Sequence, residues 1–250
     1  MSAERATEAT INTPLLGEER RRPADAGAGL IRAIRAVGHE QGFARGERIS
    51  PPGTPHAEEP ILMIESGFVT TAATAPPNRQ RTLLSIHGPG DLVGEHVLFG
   101  DPAGARRLAV TGLTDGRAWG VGRDRFRQIL DDTPRGWEML ARYLDDRAAA
   151  AEDRICLMAG ETAGRRLAVF LLQLLSRDEP AWPAIGHSRR VPVPLSRTDL
   201  AEWIGVSRET VERVIAGWVR RGMVRTGRRD LVVHDLPGLE KIAGDLQRAG

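Results

Sequence analysis

Residues 194–224 read PLSRTDLAEWIGVSRETVERVIAGWVRRGMV. Ser196 and Ser207 each precede a short segment with apolar residues at helical spacing, and serine is a preferred residue at the start of a helix. Gly205 lies between the two segments, where its tolerance of a left-handed backbone suits the end of the first helix. This stretch therefore predicts two helices joined by a turn of about four residues, Gly205–Arg208, which is the spacing of a helix-turn-helix.

The second helix of this pair has an apolar side and a charged side. Its N-terminal part is the part that enters the major groove of DNA in a helix-turn-helix. An arginine there can bind O6 and N7 of guanine, and a glutamate can accept a hydrogen bond from N4 of cytosine. An alternative is that Glu209 and Arg213 only pair with each other across one helical turn, although such a pair would also orient the arginine toward DNA. We expect three residues to read bases: Arg208, Glu209 and Arg213.

Residues 222–233 follow the second helix and contain two short β-type segments around residues 226–229. This pattern predicts a hairpin wing, and arginines at its tip can contact phosphates, which adds affinity without reading sequence. The alternative is a solvated hairpin tip that never touches DNA. We expect phosphate contacts from hydroxyl groups near the two helix starts and from the hairpin tip: Ser196, Thr198, Ser207, Thr210, Arg228 and Arg229.

The positive charge of the chain is concentrated around this stretch. The formal net charge is only +2, yet residues 187–230 hold ten arginines, no lysine and five acids. A local basic cluster is typical of a surface that binds a polyanion. Charge alone would also fit a solvated basic surface, so the prediction of DNA binding depends on the helix pattern as well.

Composition and the number of cysteines limit which classes of protein and which cofactors fit the sequence. The chain has 250 residues, of which 41% are hydrophobic and 27% charged, which is ordinary for a globular protein. Cys156 is the single cysteine, so the chain can form neither an internal disulfide nor a four-cysteine iron–sulfur cluster. The sequence has no apolar run long enough to cross a membrane and no signal-peptide layout, so we expect a cytoplasmic protein without a membrane partner. It also lacks a nucleophile–base grouping, a phosphate-binding loop and metal-ligand spacing, so we expect neither an enzyme nor a metal site.

The residue pattern changes along the chain and predicts four structural parts. We expect a mobile tail over residues 1–28, a β-domain over residues 29–130, a long helix over residues 131–160 and the helix-turn-helix domain over residues 161–250. Glycine and proline punctuate short β-type runs in the second part, which favours a sandwich or roll. The fold class is therefore α+β, with an N-terminal β-roll, a long dimerisation helix and a C-terminal winged helix-turn-helix. Four runs are expected to form strands: Ile61–Ile64, Phe68–Thr71, Thr82–Ile86 and Leu108–Thr111.

Between about Arg123 and Glu161 the pattern is helical, with one narrow apolar stripe at spacings of three and four residues. The other faces of this segment are charged. A stripe so long and narrow is typical of a seam between two helices, which favours a dimer. The alternative is that the helix packs onto the core of its own subunit. The stripe comprises Leu140, Leu144, Ala148, Ala151, Ile155 and Met158.

The helix-turn-helix resembles the DNA-binding signature of the CRP/FNR family of bacterial transcription regulators. The resemblance lies in residues 193–201, VPLSRTDLA, and in residues 205–211, GVSRETV, followed by Arg213. It extends over nearly the whole chain after about residue 28. Family members with an Arg-Glu-x-x-x-Arg pattern read a TGTGA-like half-site with these residues. The resemblance thus implies a homodimer on a palindromic site with TGTGA and TCACA arms, and RNA polymerase as a further partner.

Residues 88–95, GPGDLVGE, resemble the beginning of the cyclic-nucleotide cassette of the same family. Its cAMP-binding members hold the ribose and the phosphate with a Gly-Glu pair and an Arg-Ser pair. Gly94 and Glu95 match the first pair and Arg107 aligns with the arginine, but Leu108 replaces the serine. The long helix also lacks the Thr-Ser pair that such members place against adenine, and each unmet polar group would cost about 1–3 kcal/mol. We therefore expect an effector pocket that departs from the cAMP pattern and disfavours cAMP, with the effector itself unknown.

Two functions fit these observations. The first is a homodimeric, sequence-specific transcription regulator whose partner is double-stranded DNA. The second is a cyclic-nucleotide-binding regulatory module that acts through protein contacts. The base-reading pattern of the second helix favours the first function, and the sequence leaves open whether the regulator activates or represses.

Overall fold

The structure is a computed structural model that describes residues 24–50, 53, 55, 58–75, 80–100, 108–176, 188–227 and 229–244. Of the tail expected over residues 1–28, residues 1–23 lie outside the described ranges. Helix α1 (Ala24–Val37) begins directly afterwards, so the boundary expected at residue 28 was wrong and falls inside this helix. None of the helices in the described ranges has an apolar stretch long enough to span a bilayer.

Eight strands form the N-terminal β-domain within the described residues, and their pairings are antiparallel. Each of the four expected runs corresponds to a strand, although Phe68 and Leu108 lie just before theirs, and the β-roll is confirmed. The strands are β1 (His39–Phe43), β2 (Arg48–Ser50), β3 (Ile61–Ser66), β4 (Val69–Ala75), β5 (Gln80–His87), β6 (Leu92–Val93), β7 (Ala109–Gly112) and β8 (Gly116–Val121).

These strands form two four-stranded sheets with the orders β1-β8-β3-β6 and β2-β7-β4-β5. Apolar side chains from both sheets meet in one buried cluster, which includes Leu62 of β3, Val69 of β4 and Val110 of β7. Burial of apolar surface between the sheets is the main stabilising contribution to this domain. β5 lies at the edge of the second sheet, and among the described residues no strand pairs with its outer side.

The helical segment after the sheets is divided into two helices. Helix α2 (Arg123–Asp132) ends before the long helix α3 (Gly136–Gly160) begins, so the long helix starts five residues later than the expected position 131. At Gly136 a Cβ atom would lie 2.4 Å from the carbonyl oxygen of Leu130. The tight turn between the helices therefore requires glycine at this position.

The C-terminal part is a winged helix-turn-helix, as expected. Its helices surround a core that includes Leu171, Val211 and Trp218. The hydrophobic cluster of this domain also contains Leu83 and Ile86 of β5, so the two halves of the molecule share a packed contact. The elements are α4 (Ala163–Ser176), β9 (Arg189–Arg190), α5 (Arg197–Ile204), α6 (Arg208–Arg220), β10 (Val224–Gly227), β11 (Asp230–Val233) and α7 (Leu236–Gly244).

Candidate nucleic-acid interface

Helix α5 is fixed at both ends by the residues that predicted it. Ser196 Oγ accepts a hydrogen bond from the backbone N–H of Asp199 at 3.1 Å, and Asp199 Oδ2 accepts one from the backbone N–H of Ser196 at 2.9 Å. This reciprocal capping box satisfies two backbone N–H groups at the start of the helix. Gly205 ends the helix with a φ of +68°, a left-handed conformation that favours glycine.

Helix α6 begins after this turn and has two distinct sides. Ser207 Oγ accepts from the backbone N–H of Thr210 at 3.2 Å, so the predicted cap is confirmed. Val211, Ile215 and Trp218 are buried and hold the helix against the domain core. The opposite side is exposed and charged, and it presents Arg208, Glu209, Glu212 and Arg213.

An ion pair on this exposed side joins Arg208 to Glu212. Arg208 Nε donates to Glu212 Oε1 at 2.8 Å across one helical turn, whereas the sequence had suggested a pair between Glu209 and Arg213. The pair uses Nε, and the two Nη groups of Arg208 remain as further donors. The backbone N–H of Glu209 itself, and then the Ser207 hydroxyl, lower the pKa of the Glu209 carboxyl, which therefore stays ionised as an acceptor.

The four hydroxyl groups expected to bind phosphates have different surroundings. Ser196 and Ser207 serve as helix caps, and Ser196 Oγ also donates to Asp199 Oδ2 at 2.6 Å. Thr210 Oγ1 lies 3.2 Å from Ser207 Oγ. Thr198 is exposed in the first turn of α5. Thr198 is therefore the hydroxyl most open to a phosphate group.

The wing is a hairpin with an arginine at its tip. Gly227 of β10 pairs with Asp230 of β11, and Arg229 between them is exposed with a φ of +60°. Arg228, the other expected phosphate contact, lies outside the described residues. Arg190 Nε donates to Asp230 Oδ1 at 2.6 Å, which ties the third strand of this sheet to the hairpin.

Two open grooves flank α6, and arginines line both of them. A groove of about 460 Å³ separates α6 from the start of α4 and is lined in part by Arg165, Arg213 and Arg221. A second groove of about 410 Å³ lies between α6 and the wing and is lined in part by Arg197 and Arg220. Arg165 could not be assigned from the sequence, because α4 lies outside the arginine-rich segment and no local pattern connects it to α6. Arg165 pairs with Glu161 of the same groove at 3.0 Å, and both side chains are only 17% exposed, so the open positive charge beside α6 comes from Arg213 and Arg221.

The cassette residues of the β-domain are bonded to the long helix. Gly94 has a φ of +94° and precedes a short 3-10 turn, so the backbone itself favours glycine here. The Glu95 carboxylate forms an ion pair with Arg147 of α3, and these side chains are only 12% and 33% exposed. Leu108 is half-buried before β7, and Arg107 lies outside the described residues. Glu95, which the resemblance assigns to a ribose, is thus held by an arginine of its own chain.

Tyr143 of α3 adds a second connection to the same cassette. Its hydroxyl donates to the carbonyl of Leu92 at 3.1 Å and accepts from the N–H of Leu92 at 2.9 Å. Burial raises the pKa of Tyr143, so its hydroxyl remains a donor. The guanidinium carbon of Arg147 lies 5.7 Å from the Tyr143 ring centroid, within the range of a cation–π contact. The long helix therefore binds the cassette at β6 and at Glu95.

The apolar stripe of α3 is partly buried and partly exposed. Leu140 is 1% exposed and belongs to the core of its own β-domain, so its assignment to a dimer seam was wrong, because the first turns of α3 rest on that domain. Leu144 packs partly against the same core, and the end of the Met158 side chain lies beside Gly205. The middle of the stripe is uncovered: Ala148, Ala151 and Ile155 are exposed, with 67% of Ile155 accessible.

Two family models match the chain. The Crp-like helix-turn-helix domain matches residues 165–242, and the cyclic nucleotide-binding domain matches residues 40–133. The first match includes α5, α6 and the wing, and the second includes the β-domain with its cassette. The two matches therefore correspond to the two halves of the structure on either side of α3.

Known proteins resemble the chain over most of its length. A CRP-like cAMP-activated global transcriptional regulator from Mycobacterium tuberculosis is 32% identical over 201 residues, covering 80% of this chain and 86% of that protein. The transcriptional regulator SdrP from Thermus thermophilus is 30% identical over 203 residues, covering 80% and 92% respectively. Among solved structures, a transcriptional regulator of the CRP/FNR family from Thermus thermophilus matches with a TM-score of 0.67 at 26% identity, covering 82% of this chain and 98% of that chain. These relatives are regulators of transcription.

Proposed function

Because this chain belongs to the CRP/FNR family of transcription regulators, we propose that it acts as a homodimer that reads a palindromic DNA site with TGTGA and TCACA arms. The observation that carries this proposal is the exposed row of Arg208, Glu209 and Arg213 on the first turns of α6. Two such helices related by a twofold axis would meet half-sites about 34 Å apart, which is one turn of DNA. On a promoter in the cytoplasm, the bound dimer would act on RNA polymerase.

The arrangement on α6 favours base reading over adhesion to phosphates. Glu212 holds Arg208 by its Nε, so the two Nη groups can donate to O6 and N7 of one guanine. The ionised Glu209 can accept from N4 of cytosine, whereas near phosphates it would be repelled. Arg213 is exposed one turn further along and completes the three-residue pattern. The arginine donors and the glutamate acceptor can therefore each pair with a different base.

The arginines around α6 supply the part of the affinity that does not depend on sequence. Arg221 lines the groove on the α4 side, where Arg165 is already paired with Glu161, and Arg197 and Arg220 line the groove on the wing side. Both grooves are open to solvent along the flanks of the helix, where the DNA backbone would pass. Each phosphate that an arginine neutralises releases a counterion, so we expect the affinity to fall steeply with salt.

The exposed middle of α3 is the proposed dimer seam. Ala148 and Ala151 are small enough to let two helices approach closely, and Ile155 leaves a large apolar side chain in water. Covering this surface with a second copy would gain about 25 cal/mol for each Å² of apolar area removed from water. The seam lies between the β-domain and the helix-turn-helix, so a pair of α3 helices would bring two recognition helices to one side.

Two features of the cassette argue against cAMP as the effector. Glu95 is paired with Arg147, and Leu108 offers no hydroxyl group. Removing one partner from a partly buried ion pair costs on the order of 3 kcal/mol, because the other charge is left without compensation. We therefore propose that cAMP is not the effector. Titration calorimetry should detect no saturable heat with cAMP, and a panel of other cyclic mono- and dinucleotides tests other effectors; saturable cAMP binding that tightens DNA binding would contradict the proposal.

A mobility-shift titration of the full chain tests the DNA-binding proposal. The probe carries spaced TGTGA and TCACA arms, and the comparison duplex carries the same bases in scrambled order. We expect a preference of at least about a thousandfold for the intact arms. R117A provides a control that also removes one arginine, because Arg117 lies on β8 outside the helix-turn-helix domain, is 60% exposed and pairs with Glu40. Equal affinity for both duplexes, at low as well as moderate salt, would reject the proposed function.

A further inference from the structure

Arg154 of α3 connects the long helix to both halves of the molecule. Its Nη1 donates to the carbonyl of Leu84 at 2.9 Å, and its Nη2 donates to the carbonyls of Leu83 at 2.8 Å and Trp203 at 2.7 Å. Leu83 and Leu84 belong to β5 of the β-domain, and Trp203 belongs to α5 of the helix-turn-helix. A planar guanidinium with several donors in a fixed fork is suited to joining three carbonyl groups at once.

The two carbonyls on β5 are available because of a local irregularity. The pairing of β4 with β5 changes register after Thr71, which makes Leu84 the extra residue of a bulge. β5 is also the edge strand of its sheet. A bulge on an edge strand interrupts the regular ladder of hydrogen bonds and redirects the backbone groups around it. Arg154 bonds to the carbonyl of the bulged residue and to the one before it.

The contact on α5 is made at the end of that helix. The last carbonyls of a helix have no partner within it, so they are natural acceptors for arginine. Arg154 bonds to the carbonyl of Trp203, and Arg166 of α4 donates to the next one, that of Ile204, at 3.1 Å. The guanidinium carbon of Arg154 also lies 4.0 Å from the Trp203 ring centroid, and this ring stacks on Phe170 with centroids 4.6 Å apart. Arg154 thus holds α5 immediately before the turn into α6.

A second arginine reinforces the same contact from the β-domain. Arg81 Nη1 of β5 donates to Glu202 Oε2 at 2.7 Å and lies 3.6 Å from Asp199 Oδ1. Glu202 and Asp199 both belong to α5. Leu83 and Ile86 of β5 pack into the core of the helix-turn-helix domain beside these charges. The first helix of the DNA-binding motif is therefore docked on β5 by both polar and apolar contacts.

We propose that Arg154 is a positioning residue for DNA recognition, because it joins α3, β5 and α5 and so fixes the spacing of half-sites that the dimer accepts. Arg154 directly precedes Ile155, the large apolar side chain exposed on the seam. The position of each α6 is therefore set relative to the helix that would form the dimer axis. This inference rests on the proposed function, a dimer that reads two arms.

The test compares the affinity of the full-length protein for three kinds of duplex by fluorescence anisotropy. One duplex carries a single arm and another carries random sequence. The rest carry two arms, and the distance between the arms increases by one base pair from each duplex to the next. Wild type is compared with R154Q, with R154K and with the matched control R142Q. Arg142 is suited to the control because it lies on the same helix, is 72% exposed and pairs with Glu138.

We expect wild type and R142Q to prefer one spacing by at least about tenfold, because a rigid dimer fits one separation of half-sites. R154Q should lose about tenfold on that duplex and show no preferred spacing, since three charged hydrogen bonds are lost. Its affinity for one-arm and random duplexes should stay within about twofold, because each recognition helix remains intact. R154K, which keeps the charge without the fork, should fall between R154Q and wild type. An unchanged spacing preference in R154Q, or an equal loss on all three kinds of duplex, would overturn the proposal.

If a circular-dichroism melt shows that R154Q does not fold, a second variant tests the same proposal. R81Q weakens the same docking contact from β5, and Arg81 is 38% exposed, so its replacement disturbs the core little. We expect R81Q to broaden the accepted spacings in the same way, and a sharp wild-type preference in R81Q would overturn the proposal. Failure of the underlying function gives a different result, because wild type would then bind two-arm and random duplexes equally.

Discussion

Arg208 carries its guanidinium on the exposed side of α6, where Glu212 already orients it. A bidentate contact with guanine contributes about 1–3 kcal/mol of discrimination against a wrong base. We expect R208A to weaken binding to the two-arm duplex by about this amount and to leave binding to random DNA nearly unchanged. Competition titrations with both duplexes measure the two effects. Equal losses on specific and random DNA would assign Arg208 to a phosphate contact.

Arg229 lies at the tip of the wing, exposed and with a left-handed backbone. A phosphate contact from this position contains no information about sequence. We expect R229A to weaken binding to specific and random duplexes by the same factor and to lower the slope of log affinity against log salt by about 1. R229K keeps the charge and should behave like wild type. A loss confined to the specific duplex would contradict this role.

The start of α5 depends on the capping box of Ser196 and Asp199. In S196A the backbone N–H of Asp199 loses its acceptor, so we expect the free energy of unfolding to fall by about 1 kcal/mol. Urea denaturation followed by circular dichroism measures this change. T198A is the matched control in the same turn, because Thr198 is exposed, and it should stay within roughly 0.5 kcal/mol of wild type. A wild-type midpoint for S196A would show that the cap contributes nothing.

Local signals made the elements of the C-terminal domain predictable. The caps Ser196 and Ser207, the glycine turn and the hairpin each depend on residues within a few positions of one another, and the structure has all of them. β8 (Gly116–Val121) was missed because it depends on contacts made far along the chain. A Cβ at Gly116 would lie 2.2 Å from the carbonyl oxygen of Ser66, so close packing against β3 selects a glycine that local propensity disfavours.

The long helix illustrates a second limit of prediction from sequence. Its apolar stripe was recognised by spacing, but spacing does not tell which part of a stripe is covered by the chain's own core. Leu140 is buried with Phe126 and Ile34, whereas Ile155 is exposed. The difference arises because α1 and α2 cover the first turns of α3 and end before its middle.

At the scale of the whole molecule, the dimer depends on the exposed middle of α3. We expect I155E to convert the dimer into a monomer at micromolar concentration, because the seam would have to bury a charge without a partner. Sedimentation velocity measures the assembly state. A150E is the matched control, since Ala150 is exposed on another face of the same helix. A dimer that survives I155E unchanged would place the seam elsewhere.

Contacts between distant elements could not be predicted from the sequence. Arg147 meets Glu95, Arg154 meets Trp203, and Arg165 lines a groove beside α6, yet each arginine looks like an ordinary charge on a solvated helix face. Their partners become apparent only when α3 and α4 are packed against the other elements. The base-reading row was predictable because its residues lie within two turns of one helix. The contacts that join the β-domain to the helix-turn-helix domain were not predictable, because their residues are far apart in the sequence.

Selection of binding sites from a pool of random duplexes tests whether a dimer reads bases through α6. The full-length protein is mixed with the pool at moderate salt, the bound DNA is recovered over several rounds, and the enriched sequences are read. We expect two inverted arms, TGTGA and TCACA, at one fixed spacing, and we expect R208A to lose the preference for guanine within the arms. Recovery of DNA with no common sequence, or with a single arm and no spacing rule, would contradict a dimer that reads bases through α6.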